Sequence, residues 1–103
     1  MPSFTEIVKK AREVQERMAR LQEEMASHTV EATSGGGMVR VVANCKMEVR
    51  EVHIEKEVVD PNDVEMLQDL IVAATNEALR KAHQTIAEEM SKITGGISIP
   101  GLF

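Results

Sequence analysis

Five cations fall within the first 20 residues: Lys9, Lys10, Arg12, Arg17 and Arg20. Lysine and arginine repeated along a rod can meet successive phosphates of a duplex, a contact that needs charge and spacing but no cofactor. The same residues also have an internal use. Glu6 and Lys10, Glu13 and Arg17, and Glu16 and Arg20 stand four apart in the favoured order, as on a self-satisfied solvated helix. Residue types leave both uses open.

Other chemistries find no matching set of residues. His28, His53 and His83 stand far apart, and no His, Cys, Asp and Glu grouping has zinc-site spacing, so neither a metal nor a cofactor is expected. Gly35-Gly36-Gly37 leads into Met38-Val39 where a phosphate loop would continue with lysine and a hydroxyl residue. No serine sits in a nucleophile elbow. Carboxylates are plentiful but read as solvated helix faces, so no catalytic pair, no small-molecule substrate and no enzyme activity is expected. A lone cysteine, Cys45, cannot form an internal disulfide, which fits a reducing cytoplasm, and it reads as a small residue in or beside a turn. No segment approaches the roughly 18 apolar residues of a membrane span, and the N-terminus lacks a secretory pattern, so the expectation is a soluble cytoplasmic protein.

Elements to hold the cations emerge from periodicity. Ser3 with Glu6 makes a capping box, and Ile7, Ala11, Val14, Met18, Leu21 and Met25 then recur at alternating spacings of four and three. That narrow seam predicts a helix that packs against another helix. Thr29 to Thr33 and Met38 to Ala43 alternate on either side of the glycines, which predicts a hairpin because glycine tolerates positive φ. A turn at Asn44-Cys45-Lys46 leads to a third strand ending Val52-His53-Ile54. Val49 falls out of phase with it, which points either to a bulge near Arg50 and Glu51 or to a strand whose faces serve different partners. Asp60-Pro61 reads as N-cap and first helical residue of a second helix, whose stripe runs from Val64 through Leu67, Ile71, Ala74, Ala78, Ala82, Ile86 and Met90 to Ile93.

The expected fold is therefore α+β: an α-β-β-β-α protomer with a three-stranded antiparallel sheet and two long helices. It occupies residues 1–103 as a single domain, with helix 1–27, sheet 28–59, helix 60–94 and tail 95–103. With 103 residues, no Trp or Tyr, and only Phe4 and Phe103 as aromatics, the core is thin. Part of the second helix must project from the sheet, and its stripe needs cover from the first helix and from a second chain, which predicts a homodimer. The net charge is −5, and the acidity lies from residue 60 onward, where Arg80, Lys81 and Lys92 face seven carboxylates. A polyanion would be repelled there.

The sequence resembles the YbaB/EbfC family of bacterial nucleoid-associated proteins over essentially its whole length. The matching stretches are Met18 to Met25, Gly37 to Val41 with Asn44, Val52-His53-Ile54, Glu65 to Ile71, Ala73-Ala74, Asn76-Glu77-Ala78, and the tail Gly95 to Gly101. The resemblance implies a tweezer-like homodimer that binds double-stranded DNA, resides on the nucleoid, and influences its organisation and gene expression. It attributes DNA contact to the helices, so it implies Lys9, Lys10, Arg12, Arg17 and Arg20, with Arg80 and Lys81 in second place. One departure is the turn Asn44-Cys45, where relatives commonly carry Asn-Gly and a two-residue turn with positive φ. The alternative reading is a coiled-coil-like adaptor that binds a protein through the rod ends or the apolar tail Ile97, Ile99, Leu102 and Phe103.

Overall fold

The computed structural model describes residues 3–93. Its order is α1 (Phe4–Met25), β1 (Thr29–Ser34), β2 (Val39–Asn44), β3 (Val49–Ile54), a 3-10 turn at Lys56–Val58, and α2 (Val64–Ile93). The strands form one antiparallel sheet in the order β1-β2-β3. The expected α-β-β-β-α architecture is thus present, in a body 69 Å long and 23 by 17 Å across. The tail from residue 95, with its proposed adaptor contacts, lies outside the described residues.

Ser3 caps α1 as its sequence predicts, the backbone N–H of Glu6 donating to the Ser3 hydroxyl at 3.2 Å. The β1–β2 hairpin turns through Gly35, Gly36 and Gly37, with φ of 61°, 68° and 92°, a region that side-chain-bearing residues avoid. In β3 the irregularity is a bulge: Val42 pairs with Glu51 and Ala43 with Val49, so Arg50 is the extra residue. The bulge returns Val49 to the face shared by Val52 and Ile54.

The start of α2 differs from expectation. Asp60 does not cap the helix; its carboxylate accepts from Asn62 N–H at 2.9 Å, and Asp63 N–H donates to the Asp60 carbonyl at 3.0 Å, closing a turn over Pro61. The cap is Asp63, whose carboxylate accepts from Met66 N–H at 3.2 Å. Proline's fixed φ suits the second residue of a turn as well as the first residue of a helix, so the sequence signal serves both.

Ala32, Val39, Val41 and Ala43 from the sheet meet Ala74 and Ala78 of α2, all nearly or fully buried, with Leu67, Leu70 and Ile71 around them. Alanine along this stripe lets the helix lie close to the strands. Beyond Ala82, α2 leaves the sheet and runs antiparallel to the end of α1, where Leu21, Met25, Cys45 and Ala82 are buried beside Ile86, Met90 and Ile93. This is the projection expected for the second helix, with the part of its cover expected from the first helix. The seam of α1 is different: only Leu21 and Met25 at its C-terminal end are buried, while Ile7 is exposed by 53%, and Phe4 and Val8 beside it by 81% and 38%.

Candidate nucleic-acid interface

Before Arg17, α1 has no buried residue and only Val14 is half-buried, whereas nearer its end Leu21 and Met25 are buried beside Ile86, Met90 and Ile93 of α2. About 20 Å of helix, at 1.5 Å per residue, therefore buries no side chain among the described residues. What anchors it is the other end. Asn44, fully buried, donates through Nδ2 to the Ala26 carbonyl at 3.2 Å and to Glu48 Oε1 at 2.9 Å, and accepts through Oδ1 from the N–H groups of Lys46 and Glu48. Cys45 N–H donates to the carbonyls of Met25 and His28. These bonds clamp the end of α1 to the β2–β3 loop.

That loop also accounts for cysteine at its position. The positive φ falls on Met47, at 64°, and the turn is longer than two residues, so Cys45 needs no left-handed conformation. It is a buried packing residue. Burial first, and then the charge of Glu89, push its thiol pKa above the ordinary value, which disfavours the reactive thiolate.

The seven candidate cations separate clearly. Arg80 is held by Glu77, its Nε donating to Oε2 at 3.0 Å, and this bond lowers the Glu77 pKa and raises that of Arg80. Lys81 donates to the Glu31 carbonyl at 3.0 Å. Both are thus engaged within the fold. In contrast, the ion pairs among the described residues, such as Arg40 with Glu31 and Lys92 with Glu89, include no side chain of α1. The i,i+4 pairs that the sequence allows on α1 are not formed, and Lys9, Lys10, Arg12, Arg17 and Arg20 are all exposed.

Their arrangement follows from the turn of about 100° per residue. Phe4, Ile7, Val8 and Ala11 make one apolar arc. Lys10 and Arg17 flank it on one side and Arg12 on the other, with Lys9 next to Arg12 around a shallow recess. Glu13 and Arg20 fall at the back, with Glu6 beside Arg17 and Glu16 between Arg12 and Lys9 around the axis. An acidic chain can therefore present a cationic edge, provided that it approaches by this rod.

A metal site and a membrane span are both missing among the described residues: no cluster of three potential ligands occurs, and no helix is long and apolar enough to cross a bilayer. Sequence reasoning missed Asn44 as the clamp. Its signal was a polar residue ending an apolar strand, which becomes informative only once α1 is placed against it.

The family model for the YbaB/EbfC DNA-binding family matches residues 1–97. A nucleoid-associated protein of Syntrophobacter fumaroxidans is 60% identical over 89 residues, covering 86% of this chain and 81% of its own. One from Acetivibrio thermocellus is 56% identical over 102 residues, covering 98% and 90%. In fold, the chain resembles the crystal structure of an uncharacterized Helicobacter pylori protein, with a TM-score of 0.79 at 20% identity over 92% of this chain and all of that one.

Proposed function

The chain belongs to the YbaB/EbfC DNA-binding family, and from that membership we propose that it is a nucleoid-associated protein that grips double-stranded DNA as a cytoplasmic homodimer. Phosphate contacts come from α1, sequence readout is limited, and the result is an influence on nucleoid organisation and gene expression. No catalytic role is assigned. The observation that carries the contact assignment is the freedom of the α1 cations beside the engaged Arg80 and Lys81. Lys10, Arg12 and Arg17 are assigned the principal contacts because they border the apolar arc, with Lys9 and Arg20 contributing less.

Dimerisation is supported by the sheet. Val49, Val52 and Ile54 share the core-facing side of the sheet, yet they are exposed by 44%, 44% and 37% because α2 lies over β1 and β2. Val72 of α2 is exposed by 58%, and β3 is an edge strand. An apolar strip beside an open edge calls for cover, and a second copy provides it symmetrically. A Val52→Glu substitution should yield a folded monomer by light scattering, and an unchanged dimer mass would place the interface elsewhere.

The deciding experiment is anisotropy of a labelled duplex over a salt series. Six phosphate contacts per dimer predict a log–log slope of about −5, or roughly a thousandfold loss of affinity between about 50 and 200 mM salt. Replacing Lys10, Arg12 and Arg17 by Ala should flatten that slope, whereas Arg80→Ala and Lys81→Ala should change it little. Salt-indifferent behaviour would instead favour the adaptor reading, in which exposed Phe4 and Ile7 bind a protein.

A further inference from the structure

We propose that the free tip of α1 is a wedge that enters a base step of the bound duplex and kinks it, with Phe4 as the inserting side chain. The inference rests on the DNA-binding reading and adds the manner of contact. Phe4 is exposed by 81% on the first turn of a rod that projects from the body, with Ile7 and Val8 exposed behind it. Among the described residues, a large apolar side chain at that position has no packing role. It is also not isolated. Phe4, Thr5, Val8, Lys9 and Arg12 line one recess of about 400 Å³, so cations border the apolar surface directly.

The placement of charge selects DNA as the occupant. Lys10 lies on one side of the arc formed by Phe4, Ile7, Val8 and Ala11, and Arg12 on the other, at about 100° per residue. An apolar wedge with a cation on each side matches a groove whose floor is base edges and whose two walls are phosphates. Residues 4–12 carry Lys9, Lys10 and Arg12 against Glu6, a net positive tip on a chain of net charge −5. A second copy of the same helix is a poorer fit, because the residues flanking the arc are Lys10 and Arg17 on one side and Arg12 on the other, so pairing sets cations against cations. Pairing two such helices offers no acidic partner for Lys10 in the projecting half, whereas a polyanion neutralises both flanks.

Where minor-groove-binding proteins insert apolar side chains, the base step opens and the DNA bends by about 20 to 90°. The test uses full-length protein and a duplex of mixed sequence labelled at both ends for energy transfer, with 2-aminopurine placed at internal steps. Anisotropy on the same duplex reports binding separately. Wild type should shorten the end-to-end distance and raise 2-aminopurine emission at saturation. Phe4→Ala should bind within about tenfold of wild type but leave the duplex straight, and Phe4→Leu, which keeps an apolar wedge, should restore most of the bend. Since Phe4 is exposed, circular dichroism should show both variants folded. Binding without a bend in wild type, or an equal bend with Phe4→Ala, overturns the wedge and leaves the phosphate contacts standing. No binding by wild type overturns both. A drop in the mass of the free protein on Phe4→Ala, with bending intact, would assign the tip to a protein contact.

Discussion

Replacing Asn44 by aspartate keeps its size and changes one atom group, which makes it a sharp probe of how the rod is held. The Nδ2 group donates to the Ala26 carbonyl at 3.2 Å and to Glu48 Oε1 at 2.9 Å from a residue with no exposed surface. In the Asn44→Asp variant a carboxylate oxygen would face a carbonyl and another carboxylate with no donor between them. The other oxygen would still accept from Lys46 and Glu48. Two lost hydrogen bonds at about 1 kcal/mol each and a buried charge without a cation together predict a loss of about 3 to 5 kcal/mol. For a domain of this size that is a drop of roughly 15 to 25 °C in melting temperature. The deficit should depend on pH with a definite sign. Burial and Glu48 raise the folded-state pKa of the new carboxyl, so the penalty is complete above that pKa and recedes as pH falls through it. Urea melts followed by circular dichroism at pH 7.5 and pH 5 would measure both effects. A gap below about 1 kcal/mol, or one that does not narrow at pH 5, would refute the assignment of Asn44 as the clamp.

Three further outcomes follow from packing and titration. Gly35→Ala should destabilise more than Gly36→Ala in denaturant melts: both have positive φ, but a Cβ at Gly35 would lie 2.9 Å from Leu70 Cδ2, while nothing lies within 4 Å at Gly36. Ala78→Leu should cost about 1 to 3 kcal/mol by thermal melting, since Ala78 is fully buried between α2 and the sheet and extra methyl groups have nowhere to go. Cys45 should react slowly with a thiol reagent in the native protein and fast in urea. Because its pKa is raised on folding, the native state binds the proton more tightly, so stability should fall as pH rises past the ordinary thiol range, and Cys45→Ser should abolish that fall.

Local chemistry determined much of this protein from its sequence alone. Ser3 as a cap, three glycines as a left-handed turn, and periods of two and of three to four defined the element types and their order, since these depend on backbone preferences and on neighbouring residues. The register slip at Arg50 showed as Val49 falling out of phase. Asp60-Pro61 was ambiguous because turn and helix start use the same residue geometry, and only the hydrogen bonds to Asp60 and Asp63 separate them. The candidate cations were all legible by type, but their availability was not. Glu6, Glu13 and Glu16 stand at pairing distance along the chain, and Arg80 and Lys81 appear as free as any other; side-chain rotamers and the path of β1 beside α2 decided which were engaged. Tertiary structure likewise decided that Asn44 joins the loop to α1, that β3 keeps an uncovered apolar face, and that the first turns of α1 stand clear with Phe4 exposed. Each of these depends on what lies opposite a residue in space, and a linear pattern carries only what lies beside it along the chain.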